Sequence, residues 1–483
     1  MMTASCLPPR SFSRCRWAGL VGLALGLALS VSAQTDTLVV SLGAPMERLT
    51  AASDPTQHYA LYLPSSYTPE APPPVMFLMD PRGQAMTPLR LFQAEAEKRG
   101  YILISSHETL SDDLAAFGIN ERALTAMIQD VQLRFTVDTD RFYLVGFSGT
   151  AHFAWAVAPS LDGHLAGIVG VGDGLSPYLP GMAPVFEMGR LPAYVGIAGT
   201  HDFNYDNTVL RHLALEDLGL RRRFRSFPGR HSWPPESLAS EALAWFDWLA
   251  ARDMLSPDTL QAQYAARLLQ AVSVEAEGDA RRALRLYREA EADFSELVDV
   301  SEARNQARRL ARSRAVRRIL RDEERLAQEV QAYKALVGEV LQAMAREDSP
   351  MPPARAARRL DLDDLLRETD KTERPLRAAA ARRKLETAYV NLAFYGPIEA
   401  MEAGLYGLAN DLLTLARSIK ADEPGACYRH TQVLSQLGRL DEAMETAHCA
   451  LALPWLRRQL HEDPLIAPLR QDPQFEEQFG AES

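Results

Sequence analysis

Short apolar runs recur between residues 58 and 250, separated by stretches in which apolar residues return every three or four positions. His58-Tyr-Ala-Leu-Tyr-Leu63 alternates, as a strand with one covered face does. Val75–Met79, Tyr101–Ser105, Arg141–Val145, His164–Val171, Tyr194–Ala198 and Arg223–Phe227 are mostly continuous apolar or aromatic runs and read as strands. Leu89–Arg99, Asn120–Phe135 and Ser237–Ala250 carry the helical period. Thr37–Leu42 suits a first strand. Strands that alternate with helices predict an α/β unit over residues 34–253, with a mostly parallel sheet covered on both faces.

From Pro257 onward the strand signals stop. Ala266–Leu297 has small and large residues at the positions of a helical hairpin, with a turn at Gly278-Asp279 and Ala283, Tyr287 and Ala290 on its second helix. Tyr428–Leu453 repeats the pattern, with Gly438 at the turn and Ala443, Ala447 and Ala450 after it. Both segments resemble tetratricopeptide repeats. Such units bury their apolar faces only by stacking, and about three are needed for an independent array, so Leu385–Lys420 is expected to supply degenerate ones. Ser301–Arg346 reads as a long charge-laced helix or helix pair whose Arg and Glu residues form a solvated face. The breaker Ser349-Pro-Met-Pro-Pro353 divides the helical part into 254–348 and 349–483. That part either pads the α/β unit or offers a concave surface to a protein or peptide.

Arg10, Arg14 and Arg16 precede an apolar run, Ala18–Leu29, and Val31-Ser-Ala33 is a small-residue exit. This is the pattern of a signal peptide over residues 1–33, cut before Gln34, and it predicts an exported, periplasmic or extracellular protein with no membrane anchor after cleavage. A formal net charge of −11 argues against a nucleic-acid partner. Of the four cysteines, Cys427 and Cys449 lie beyond the leader, on the two expected helices of one hairpin. They suit either a disulfide or two small buried residues. No Cys/His spacing suggests a metal, His201-Asp202 has no second ligand pair, and no cofactor motif is present.

The chemistry concentrates in Arg141-Phe-Tyr-Leu-Val-Gly-Phe-Ser-Gly-Thr-Ala151. A strand, a tight Gly-x-Ser-x turn and a helix form a nucleophile elbow, which projects a serine hydroxyl above a sheet and sets the next N–H, on Gly149, at a helix N-terminus. Asp202, in Gly199-Thr-His-Asp202, and His231, in Gly229-Arg-His-Ser-Trp-Pro-Pro235, each follow an expected strand, giving the order serine, acid, histidine. Asp206 and Asp173 are alternative acids. Asp80-Pro-Arg-Gly83 follows another strand, where the N–H groups of Arg82 and Gly83 are candidates for a second oxyanion donor and Pro81 has none to give.

These three loops, with Tyr59-Ala-Leu-Tyr-Leu-Pro64 and the Trp-Pro after the histidine, resemble the α/β-hydrolase superfamily over roughly residues 37–253. Within it they resemble secreted esterases of the feruloyl esterase and polyhydroxybutyrate depolymerase type. The resemblance implies a doubly wound hydrolase sheet and a serine ester hydrolase acting on a small-molecule or polymer ester, with Ser148 as nucleophile, His231 as base and Asp202 as acid. There are two departures: Thr150 stands where the elbow usually has Gly, and Asp80-Pro-Arg-Gly83 where relatives often have His-Gly. They motivate an alternative expectation, a catalytically weak hydrolase fold that serves as a protein-binding module through its helices.

Overall fold

The apolar runs of the first half assemble into one eight-stranded sheet in the order β1-β2-β4-β3-β5-β6-β7-β8. The computed structural model describes residues 41–111, 114–173, 189–217 and 219–480. The strands are β1 (Met46–Thr50), β2 (His58–Tyr62), β3 (Val75–Met79), β4 (Ile102–Ser106), β5 (Phe142–Phe147), β6 (Leu165–Val171), β7 (Ala193–Gly199) and β8 (Arg222–Phe227). The β1–β2 and β2–β4 pairs are antiparallel, and every later pair is parallel. Among the described residues four helices connect successive strands, α1 (Met86–Arg99), α2 (Leu114–Arg134), α3 (Gly149–Val157) and α4 (Tyr205–Asp217), and α5 (Glu236–Ala251) follows β8.

The strand period of two sorts the core. Met76, Leu78, Tyr143, Val145 and Ile197 pack with Leu89 and Phe92 of α1 and Leu243 and Phe246 of α5. The opposite face carries α3, where Trp155 meets Tyr194 at 5.2 Å between ring centres and Phe153 meets Phe117 of α2 at 5.4 Å. Residues that read as unbroken apolar runs are those of central strands: β3, β5 and β7 are buried at every position.

Several expectations need correction. The leader and most of the Thr37–Leu42 strand lie outside the described residues. Leu42 makes only an isolated bridge to Leu63, and the first strand of the sheet is instead Met46–Thr50. This edge strand is short and half-exposed, so it lacks the apolar run that marks the others. The helix expected from Asn120 begins at Leu114. Asn120 bonds back to the backbone of Leu110 at 2.8 and 3.0 Å, so its turn-forming chemistry serves the preceding loop. The helix α4 went unread in the polar sequence after Asp202.

The second half is helical. Its elements are α6 (Pro257–Ala276), α7 (Ala280–Phe294), α8 (Ser301–Arg312), α9 (Arg314–Met344), α10 (Pro353–Arg359), α11 (Leu362–Thr369), α12 (Pro375–Val390), α13 (Gly396–Glu402), α14 (Tyr406–Ile419), α15 (Pro424–Gln436), α16 (Leu440–Ala450), α17 (Pro454–Glu462), α18 (Ala467–Arg470) and α19 (Pro473–Phe479). A π-helical stretch, Asn391–Tyr395, joins α12 to α13. The hairpin turns stand where expected: Gly278 and Gly438 take φ of +89° and +71°, a conformation that costs glycine little. Ala283, Tyr287, Ala290, Ala443, Ala447 and Ala450 are all buried. Ser313 breaks the charged segment into α8 and α9, and its side chain caps the second of them. Cys427 and Cys449 form a disulfide across α15 and α16, with Cα atoms 5.8 Å apart. Among the described residues no helix is long and apolar enough to cross a membrane.

The two halves are joined at the sheet edge. β8 would leave a row of backbone groups unpaired. α7 covers it: Arg285 donates to Phe224 O at 3.2 Å, and Arg223 meets the buried Asp293 at 2.5 Å. Arg225 bonds Glu289 of α7 and Glu241 of α5 at 2.6 Å.

Candidate active site

Ser148 lies between β5 and α3 with φ 55° and ψ −122°. Among the described residues only Ser148 and Asp361 combine positive φ with a side chain. Backbone strain of this kind persists where the surroundings enforce it, and here they do. A Cβ on Gly146 would fall 2.4 Å from Thr150 O, so the strand can turn into the helix this tightly only with glycine at that point. Thr150, one of the two departures, is used: its buried hydroxyl accepts from Phe147 N at 2.9 Å and donates to Met79 O at 2.6 Å. It ties the elbow to the end of β3, where the Asp80–Gly83 loop begins. Gly149 is the first residue of α3, so its N–H has no intrahelical acceptor.

The acid and histidine loops leave the adjacent ends of β7 and β8 and are stitched together by Thr200 N to Phe227 O and His201 N to Gly229 O, both 2.9 Å. His231 Nδ1 lies 2.9 Å from both carboxylate oxygens of Asp202. Asp202 is buried and also accepts from Asn204 N at 2.7 Å, while Asn204 Nδ2 holds Gly172 O at 3.1 Å. The imidazole is sandwiched between Phe147, whose ring centre is 4.5 Å away, and Phe203 at 4.4 Å. Gly172 closes the site from β6: a Cβ there would lie 2.9 Å from Asp202 Oδ2 and from His231 Nδ1. Among the described residues Ser148 Oγ makes no hydrogen bond to His231, whose imidazole bonds Asp202 alone.

The alternative acids have other partners. Asp173 is enclosed by Arg211 at 2.8 Å, Tyr194 OH at 3.0 Å and Trp155 Nε1 at 3.2 Å, with His152 3.6 Å away. Asp206 faces the helical half and accepts from Arg383 Nε at 2.9 Å. Burial pushes the Asp206 carboxyl up, and the guanidinium opposes that shift. Asp202 is therefore the carboxylate that the fold brings to His231.

The Asp80–Gly83 loop departs from expectation. Arg82 N donates to Asp80 Oδ1 at 2.8 Å and Gly83 N to Asp80 O at 3.1 Å, so both N–H groups are engaged within the loop. The reason is Asp80 itself. Its fully buried carboxylate also accepts from Trp233 Nε1 at 2.8 Å, which locks the loop to the histidine loop. Sequence reading missed Gly172, Phe203 and Asn204 because each acts through a turn or a close approach that no spacing announces.

No family model matches the chain, and no curated protein matches it. Among solved structures it is similar to an S-formylglutathione hydrolase from Staphylococcus aureus, at 16% identity and a TM-score of 0.34, over 43% of this chain and 99% of that one. It is also similar to esterase B from Lactobacillus rhamnosis, at 16% identity and a TM-score of 0.36, over 44% of this chain and 87% of that one. A ferulic acid esterase has 15% identity and a TM-score of 0.33, over 42% of this chain and 97% of that one.

Proposed function

We propose that the chain is a serine hydrolase of carboxylic esters, exported from the cell, with Ser148 as nucleophile, His231 as base and Asp202 as acid. The observation that carries this reading is the bond from His231 Nδ1 to the buried Asp202 at 2.9 Å, beside a strained Ser148 at the strand-to-helix turn. In the reaction His231 Nε2 takes the Ser148 proton as Oγ bonds to the ester carbonyl carbon. Asp202 fixes the tautomer and stabilises the imidazolium. The carbonyl electrons move onto oxygen, where Gly149 N–H meets them at the positive end of α3. They return as the C–O bond to the alcohol breaks, and the alcohol leaves with the proton from His231. Water, deprotonated by the same nitrogen, then releases the acid and restores Ser148.

Two observations support export: the leader-like start of the sequence, and the Cys427–Cys449 disulfide, a bond that persists in oxidising compartments. The helical half carries repeat-like hairpins, and we read it as tetratricopeptide-like. A second reading, a hydrolase fold idle in catalysis and used to bind a protein through the helices, is favoured by the absent Ser148–His231 bond and by the engagement of the Arg82 and Gly83 N–H groups within their own loop. Hydrolysis of short p-nitrophenyl esters by the mature protein decides between them. The expected result is turnover that falls by about 10³-fold or more in Ser148→Ala with the fold unchanged. Equal rates in the two proteins would contradict it.

A further inference from the structure

Arg383 belongs to α12, 177 residues along the chain from its partner Asp206, yet it is built into the acid loop. It is buried, as is Asp206. Besides the bond from Nε to Asp206, its Nη1 donates to Thr200 O at 3.4 Å, and the guanidinium lies 4.9 Å from the centre of the Tyr205 ring. Thr200 precedes Asp202 in the chain, and Tyr205 and Asp206 follow it, so one side chain brackets the acid from both sides. The bracketed turn has little slack. Asp202 N donates to Gly199 O at 2.9 Å, and Tyr205 N donates to Asp202 O at 3.0 Å. Movement of Asp206, in the first turn of α4, is therefore passed directly to the backbone of Asp202.

We infer that Arg383 is a positioning residue for Asp202: by clamping Thr200 and Asp206 it holds the carboxylate against His231, and so makes the helical half part of the catalytic apparatus. This rests on the serine-hydrolase reading. The neighbours of Arg383 continue the clamp. Arg382 Nη1 lies 3.4 Å from His201 Nε2, and Gln331 Nε2 donates to Asn207 Oδ1 at 2.8 Å. On the histidine loop Arg230 meets Glu386 of α12 at 3.3 Å. Lys334 of α9 sits close enough to feel Asp206 and Asp202, though burial pushes its ammonium down to about 8.

The bland account is that Arg383 merely docks one half on the other. Docking already has its own anchors at the β8 edge, where the buried pair Arg223–Asp293 and the partly buried pair Arg225–Glu289 lie without touching the acid loop. A buried ion pair adds little stability over apolar packing, so docking strength alone does not account for this one. Positional control matters here because a displacement of about 1 Å at a catalytic group is worth a factor of roughly 100 in rate.

The test is a double-mutant cycle on the full-length mature protein, read by the rate at which a fluorophosphonate probe labels Ser148. Arg383→Ala should slow labelling about 10- to 100-fold and lower kcat for an ester substrate while KM stays within about twofold. Arg383→Lys, which can reach Asp206 but has no fork to span to Thr200, should restore part of the rate. In an Asp202→Asn background Arg383→Ala should add nothing, because the clamp acts only through that carboxylate. Losses that multiply in the double variant would overturn the clamp while leaving the hydrolase reading intact. A wild-type protein that does not label would remove the hydrolase reading and the clamp with it. If Arg383→Ala does not fold, Asp206→Asn supplies the second corner of the cycle. It keeps an acceptor for Nε, and its loss should again vanish in the Asp202→Asn background.

Discussion

Gly172 shows at single-residue scale how closely the site is built. Its φ of +53° disfavours any other residue, and a methyl group there would press on both Asp202 and His231. Gly172→Ala should therefore cost about 1–2 kcal/mol of stability from the backbone alone. It should also lower kcat by about 10-fold or more, because the pair must separate to admit the methyl group. Steady-state kinetics with a melting curve check this; full activity in a stably folded Gly172→Ala protein would show that the dyad has slack. At this scale the loop positions were legible: Ser148 stands at a strand-to-helix turn, and His231 follows β8 beside Asp202. The choice among three acids was not. Asp173, Asp202 and Asp206 all follow strands or open a helix, and only the tertiary contacts separate the one at His231 from those at Arg211 and Arg383. Thr150 and Asp80, which looked unusual in the sequence, proved to be supports: Thr150 ties the turn at Ser148 to β3, and Asp80 ties its own loop to Trp233.

At the scale of elements, legibility followed burial. Strands enclosed on both faces announced themselves as apolar runs, whereas the exposed edge strand β1 did not. α4 escaped because His201–Asn207 spends its polar residues on the site and on the helical half, which erases the amphipathic period. In the helical half the hairpins were legible from Gly and Ala positions, and the packing partners were not. His430 on α15 is an instance. It is buried beside Asn410, whose Oδ1 is 3.2 Å from Nε2, and burial, with Arg417 and Arg439 nearby, pushes its imidazole down to about 4. The sign follows from proton uptake. Between the ordinary histidine value of about 6.5 and about 4 the unfolded chain takes a proton that the folded chain refuses. The stabilisation is fully present above pH 6.5 and is lost as pH falls towards 4, by about 3 kcal/mol. His430→Gln keeps a polar partner for Asn410 and cannot titrate. Melting temperature against pH should fall less steeply between pH 6.5 and 4.5 in that variant, and identical slopes would place the acid-sensitive group elsewhere.

Over the whole molecule the sequence suggests two parts in series, an α/β unit and a helical tail. The contacts instead make the tail a support for the α/β unit at two places, the β8 edge and the acid loop. That relation was invisible in the sequence because arginines on a helix face read the same whether they meet water or a carboxylate far along the chain. The net charge of −11 and the apolar periodicity gave composition and class, and the interlock comes only from folding. In the function proposed above, this assembly presents Ser148 as an activated nucleophile. The most direct test is to treat the mature full-length protein with a fluorophosphonate and locate the adduct by peptide mass spectrometry. Stoichiometric modification at Ser148, absent from Ser148→Ala, is the expected result. A folded protein that stays unmodified, or that carries the label on another residue, would contradict it.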